Sequence, residues 1–366
     1  MNIHALLTLH MIPGIGPNRL RMLVNHFETP EAVLTASGRD LMEVDGIDDV
    51  LSNAIRHTRP DDQTVTEQLD TLDRCGGRIV TWWDGEYPSY LKEIYDPPTL
   101  LFVRGTLPTP DEVTLAVVGS RVATPYGRTV TERLVGGLTR HGITIVSGMA
   151  RGIDGIAHRA ALSNGGRTIG VLGCGLDVVY PAEHKKLYDE VSVNGAILSE
   201  CPMGTAPEAH NFPRRNRMIS GLSLGVLVVE AQEKSGALLT AKLALDQGRD
   251  VFAVPGNIDA SRSRGTNRLI QQGAKLVLDI EDILDELTGP LGGVRPSLSA
   301  TAPGEHLSEE EKGLLDRLSP SEPRHIDALS VESGLPSSKA LALLLPLELA
   351  GLVRQLSGKH FVRVFP

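Results

Sequence analysis

The chain is poor in cysteine. Its 366 residues contain three, Cys75, Cys174 and Cys201, widely spaced and with no CxxC pair. Neither a disulfide framework nor a zinc site is expected, and a reducing cytoplasm is the fitting compartment. No apolar run is long enough to span a bilayer, since the richest, Leu341 to Val353, is broken by Pro346 and Glu348. The N-terminus has no basic region, and His4, His10 and Pro13 interrupt its apolar residues, so no signal peptide and no membrane partner are expected. Excess positive charge is also missing. With a formal net charge of -9, any nucleic-acid site must be a local basic patch on an acidic body.

Cofactor signatures are absent as well. No GxGxxG follows the first strand of the central domain, Gly173-Cys174-Gly175 has Val178 where a third glycine would stand, and there is no Walker lysine motif. The histidines lack metal-ligand spacing. Ser147, Asp154 and His158 have neither a nucleophile elbow nor triad-like ordering. No dinucleotide, metal or catalytic centre is therefore expected.

What is present centres on Leu115 to Asp154, which reads as strand, glycine turn, helix and strand, the length of a parallel βαβ unit. Leu115 to Val118 is a continuous apolar run of the kind buried on both faces of a sheet. Gly119-Ser120-Arg121 follows at the carboxyl edge, where open α/β sheets bind ligands. Gly119 permits close backbone approach, Ser120 offers a hydroxyl and Arg121 a forked cation, a set that suits phosphate. Plain turn chemistry with a solvated Arg121 explains the same tripeptide. Ile143 to Val146 repeats the arrangement with Ser147-Gly148 at its end. Strand and helix signals alternate onward to about residue 288, which predicts a doubly wound, Rossmann-like parallel sheet over residues 61–288.

The flanks differ. Residues 1–60 are helical, with hairpins at Ile12-Pro13-Gly14-Ile15-Gly16 and Val44-Asp45-Gly46-Ile47-Asp48 between helices Ile3 to Met11, Pro17 to His26, Glu31 to Met42 and Val50 to Arg56. They resemble a helix-hairpin-helix (SAM-like) domain, whose turn amides can hold a DNA phosphate. Asp48 would repel phosphate, so packing or protein contact is an equal alternative. Trp82 and Trp83 invite base stacking, but beside a strand they are more often packing residues. Residues 289–304, rich in Gly, Pro, Ser and Ala, read as a flexible linker. Residues 305–366 show three helices and a β-hairpin, a winged helix. Its third helix, Ser337 to Ala350, offers only Lys339 against Glu348, which favours protein contact over base reading.

The second cluster is Phe212-Pro213-Arg214-Arg215-Asn216-Arg217. If it returns to the carboxyl edge, its guanidinium groups join Arg121 in an anion funnel with an aromatic platform, which is what single-stranded nucleic acid requires. Part of the set, Arg217 above all, can instead hold backbone carbonyls.

In order along the chain, VVGSR, SGMARGID with His158, GVLGCGLDVVYP, Leu198-Ser199-Glu200, FPRRNR, VVEA with SGALLTA, VPGN and GTNRLIQQGA closely resemble the DprA/Smf family of DNA-processing proteins. The resemblance implies a non-enzymatic protein. It would bind and protect incoming single-stranded DNA in natural transformation and load RecA recombinase while displacing single-strand-binding protein. It implies phosphate contacts from Gly119, Ser120 and Arg121, a base contact from Phe212, and a groove lined by Arg214 and Arg215; the Ser147-Gly148 turn, read from the residues alone, faces the same ligand if its strand neighbours the first. Ala209-His210-Asn211 stands where the family often has a lysine. The resemblance also implies a homodimer through about residues 266–278, with RecA contact nearby, for which Leu269, Ile270 and Leu276 are the apolar candidates. The alternative is a Rossmann-like nucleotide phosphoribohydrolase using Glu230, although the PGGxGT segment of those enzymes is absent.

Overall fold

The computed structural model describes residues 1–58, 63–110, 112–288, 308–319, 323–349, 352–356 and 358–363. They fall into two compact units, Met1–Val294 and Arg295–Pro366. The expected linker, residues 289–304, lies outside the described residues.

Among the described residues, the first unit is built on nine strands: β1 (Arg78–Thr81), β2 (Leu100–Gly105), β3 (Thr114–Val118), β4 (Thr144–Ser147), β5 (Thr168–Val171), β6 (Gly195–Ser199), β7 (Gly225–Val228), β8 (Asp250–Ala253) and β9 (Lys275–Leu276). Their order is β1-β2-β6-β5-β4-β3-β7-β8-β9. From β6 to β9 every pairing is parallel, while β1 and β2 extend the sheet antiparallel beside β6. Side chains alternate between faces along each strand. Leu115, Val117 and Ile145 pack under the helices Pro125–Arg140 and Ile153–Ser163. Ala116, Val118 and Val146 pack under the helices Asn211–Gly221 and Gly236–Asp246. Strands covered on both faces have little room for polar residues, which is why their sequences are nearly continuous apolar runs.

The N-terminal helices share a hydrophobic cluster with the sheet extension, Leu6, Leu20 and Ile55 joining Leu100, Phe102 and Ile197. Thr99 donates its hydroxyl to the Pro17 carbonyl at 2.9 Å across this contact. The single helix expected over Glu31 to Met42 is two, Pro30–Thr35 and Gly38–Leu41. Ala36 is extended, and Ser37 caps the second helix by accepting from the Asp40 N–H. Asp48 caps the helix Asp49–His57, accepting from the Leu51 N–H at 2.9 Å. In the second hairpin that carboxylate therefore holds the helix start that a phosphate would need. Trp82 is half-buried under the Lys92 ammonium, 4.4 Å from the ring centroid, and Trp83 donates to Asn25 Oδ1 at 3.1 Å.

The second unit carries helices Glu309–Leu315, Ile326–Ser333 and Ser337–Leu349, and the antiparallel strands β10 (Arg324–His325), β11 (Val353–Leu356) and β12 (His360–Arg363) in the order β10-β12-β11. Leu314, Leu329, Leu344 and Phe361 form its core. Lys339 on the third helix pairs with Glu310, and Leu345 on that helix is exposed.

Candidate nucleic-acid interface

The chain passes from β3 to β4 on one side and from β7 to β8 on the other, so the sheet order reverses between β3 and β7. Open sheets bind ligands at such a point. Here it is filled. A Cβ on Gly119 would lie 2.6 Å from Ile153 Cγ1 and 3.1 Å from the Glu230 carbonyl oxygen. The Glu230 side chain is buried against the start of the helix Pro125–Arg140, accepting from the Thr124 N–H at 3.0 Å and from the Thr124 hydroxyl.

The open cleft is displaced toward the carboxyl ends of β4 and β5. It is lined by Arg121, Gly148, Arg151, Gly173, Tyr180 and Phe212 among others, and its volume is about 50 Å³. Small-molecule pockets hold about 300–1,000 Å³. This cleft admits a phosphate-sized group along an open surface and not a whole nucleotide.

Arg121 reaches the cleft because its loop is stitched to the next helix. The Ile153 N–H donates to the Ser120 carbonyl at 3.1 Å, and Gly152, at φ 74°, lets the Ser120 carbonyl come within 2.1 Å of where a Cβ would stand. Ser120 closes a local turn, its hydroxyl donating to the Val122 carbonyl at 2.9 Å, and remains half-exposed. Arg121 is exposed and makes no ion pair among the described residues. Met149 holds a left-handed φ of 58°, with its carbonyl 3.0 Å from His184 Nδ1. Strained backbone of this kind persists only where its surroundings over-determine it.

The FPRRNR segment begins the helix Asn211–Gly221, and its first turn lies over the carboxyl ends of β4 and β5. Phe212 is half-buried, its ring over Gly173 and 5.8 Å from that of Tyr180. The Arg121 and Arg215 guanidinium carbons lie 5.6 and 5.9 Å from its centroid. A cation within about 6 Å of an aromatic face is held there by the ring quadrupole.

About 100° per residue then separates the arginines. Arg214 points outward, its side chain 52% exposed and 3.3 Å from Glu200. Arg215 points inward and is 5% exposed, donating to the Gly148 carbonyl at 2.6 Å and to the Val171 carbonyl. Glycine at 148 leaves the guanidinium its place, since a Cβ there would lie 2.4 Å from Arg215 Nη1. Arg217 is buried in an ion pair with Glu200 and lies 3.8 Å from Asp96. Asn216 is buried and donates weakly to the Gly236 carbonyl at 3.5 Å. Ser147 is fully buried and donates to the Val117 carbonyl at 2.6 Å, so its hydroxyl faces the sheet and is closed to a ligand.

Burial pushes the Asp154 carboxyl above its usual range, against the opposing pull of Arg215. The same burial pushes Glu200 up, opposed by Arg217 and then Arg214. Arg217 thus pairs with a buried carboxylate and Arg215 with buried carbonyls, and Arg121 and Arg214 are left facing solvent.

Arg151 and Tyr180 also line the cleft and escaped the sequence reading. Both lie in stretches it singled out, SGMARGID and GLDVVYP, at the carboxyl ends of β4 and β5. Arg151 is exposed and pairs with Glu183. Of the apolar candidates for contact between copies, Leu269 is 9% exposed and packs in the core with the partly buried Ile270, which removes Leu269 from any surface. Leu276 is 38% exposed on the edge strand β9.

Residues 78–288 match the family described as DNA recombination-mediator protein A, residues 299–359 the DprA winged helix domain, and residues 6–55 the SAM-like Helix-hairpin-helix tandem. The chain is 35% identical to Protein Smf of Synechocystis sp., covering 96% of both chains. It is 42% identical to Protein Smf of Escherichia coli, covering 81% of this chain and 80% of that one. Among solved structures it resembles DNA processing protein A of Streptococcus pneumoniae, with a TM-score of 0.69 and 36% identity over 78% of this chain and 98% of that one. DNA processing protein A of Helicobacter pylori, described for its single-stranded DNA binding mode, gives a TM-score of 0.52 and 32% identity over 58% of this chain and 95% of that one.

Proposed function

The chain belongs to the DNA recombination-mediator protein A family, and from that premise we propose that it binds single-stranded DNA across the carboxyl edge of its sheet. Arg121, with the half-exposed Ser120 beside it, receives phosphate together with the Gly148 turn, Phe212 meets a base, and Arg214 extends the groove, while Gly119 lets the loop pack against Ile153. Arg215, Asn216 and Arg217 hold that surface in shape from below. The protein acts without catalysis: it protects the strand and loads RecA recombinase as single-strand-binding protein leaves, working as a cytoplasmic homodimer through the β9 edge, where Leu276 and the half-buried Ile270 remain candidates. Residues 61–288 carry the DNA site, and residues 1–60 and 305–366 carry protein contacts.

The observation that supports this best is the convergence of the Arg121 guanidinium on the Phe212 ring at 5.6 Å. A cation and a half-exposed aromatic at one rim supply both needs of an unpaired strand, charge for the backbone and a π-face for bases. The phosphoribohydrolase alternative gains no support, because Glu230 is 3% exposed and both its oxygens are engaged by Thr124. The test is oligonucleotide binding by fluorescence anisotropy. Single strands bind and matched duplexes bind more weakly; a duplex preference transfers the activity to the flanking domains.

A further inference from the structure

The helix Pro125–Arg140 starts immediately after the first βα turn of the doubly wound sheet, at the point where strand order reverses. In this fold class that turn and helix start take the phosphate of a nucleotide, on free N–H groups at the positive end of the helix dipole. In this chain an internal carboxylate lies there. Glu230, at the carboxyl end of β7, accepts from the Thr124 N–H through Oε2 at 3.0 Å and from the Thr124 hydroxyl through Oε1. That hydroxyl in turn accepts from the Gly127 N–H at 3.1 Å, so a first-turn donor of the helix is relayed to the same carboxylate. Gly127 has no side chain to obstruct it: a Cβ there would lie 2.4 Å from Glu230 Cδ and 2.5 and 2.9 Å from its oxygens. Glu230 itself is 3% exposed.

From this geometry we infer that Glu230 is a specificity-determining residue, which occupies with the chain's own carboxylate the seat where this fold class binds the phosphate of a free nucleotide. A nucleoside phosphate is refused twice, by bulk at Gly127 and by like charge at the helix start. Phosphates are left with the surface cleft at Arg121, whose volume of about 50 Å³ is too small to enclose a mononucleotide but whose open side can follow a strand. The refusal of nucleotides stands on the Thr124–Glu230 geometry alone, and the routing to the cleft rests on the single-stranded DNA reading.

The test compares full-length wild type with Glu230→Ala, using inorganic phosphate and a nucleoside monophosphate as probes against chloride of equal ionic strength. With the cleft contact removed from both proteins by Arg121→Ala, thermal unfolding of the protein that keeps Glu230 shows no saturable response to either probe beyond the general stabilisation by an excluded salt. The variant has a lower Tm in chloride and gains a saturable, phosphate-dependent rise in Tm, because a ligand that binds only the folded state stabilises it by mass action. A folded variant without that response overturns the assignment. The wild-type arm holds whether or not the variant folds: phosphate or nucleotide found on the Thr124–Gly127 turn of unaltered protein, by anomalous diffraction or NMR titration, overturns it equally. Oligonucleotide binding is measured in parallel on the two proteins with Arg121 intact. Its absence from both proteins overturns the reading of the cleft and leaves the phosphate comparison to decide Glu230.

Discussion

The Arg121 guanidinium carbon lies 5.6 Å from the centroid of the Phe212 ring, although Arg121 sits in the loop after β3 and Phe212 in the first turn of the helix Asn211–Gly221. Tyr180 flanks the ring at 5.8 Å, and Gly173 clears the space beneath it. The ring is therefore positioned without being engulfed. Phe212→Ala should lower single-strand affinity by about 1–3 kcal/mol, the usual worth of a stacked base, or roughly 5- to 150-fold. Phe212→Tyr should retain most of it. Anisotropy with a short oligonucleotide separates the two, and equal affinities for wild type and the alanine variant would remove the base contact.

Arg214 and Arg217 share Glu200 but differ in burial, at 52% and 10% side-chain exposure. Arg214→Ala should weaken DNA binding and change stability by about 0–1 kcal/mol, as for an exposed pair. Arg217→Ala leaves a buried carboxylate without its main partner and should cost about 3–5 kcal/mol of stability. Urea unfolding of both variants checks the contrast; similar losses in the two would contradict the division into an outer and an inner arginine.

Gly148→Ala places a methyl 2.4 Å from Arg215 Nη1, in space that the guanidinium needs to reach the Gly148 and Val171 carbonyls. Overpacking a filled interior typically costs about 1–3 kcal/mol. The expected outcome is a lower urea midpoint at unchanged slope, together with weaker oligonucleotide binding as the Phe212 support shifts. Wild-type stability in this variant would mean that Arg215 moves freely.

Acid should destabilise the protein through His158. The ring is fully buried, and Nδ1 lies 2.7 Å from the Thr168 hydroxyl, which already donates to the Ile145 carbonyl at 2.8 Å. Nδ1 must therefore carry the proton, and Nε2 is left buried without a partner among the described residues. Burial, reinforced by His184, lowers the pKa from 6.5 to about 3. The unfolded chain binds the proton first, so stability falls as pH drops from 6.5 toward 3, at up to about 1.4 kcal/mol per pH unit for this one group. His10, lowered to about 4 by burial, acts in the same direction. Urea unfolding across this range should show a shallower acid slope for His158→Gln than for wild type; parallel slopes would contradict the assignment.

The sheet is legible in the sequence because burial on both faces demands runs such as Leu115 to Val118, and the turns after them mark the carboxyl edge. Gly119-Ser120-Arg121 and Phe212 are legible for the same reason, as residues whose chemistry suits an edge. The fate of each arginine is not. Arg214, Arg215 and Arg217 look alike in sequence, and only the helical step after Phe212 sends one outward and two into carbonyl and carboxylate cages. Ser147 and Leu269 also depend on facing, since one residue of register decides whether a side chain meets solvent or core. The break at Ala36 escapes periodicity because it spans only the extended Ala36 and the cap Ser37 before helix resumes at Gly38. Glu230 resembles a catalytic glutamate until Thr124 and Gly127 are seen to enclose it.

The most direct test of the account is a salt titration of single-strand binding for wild type and Arg121→Ala. The wild-type slope of log affinity against log salt should be steep, at about -0.7 per phosphate neutralised, and the variant should be shallower by roughly one such increment. The variant should also be weaker for every oligonucleotide sequence, because a phosphate contact carries no base information. Superimposable titrations of the two proteins would contradict the account.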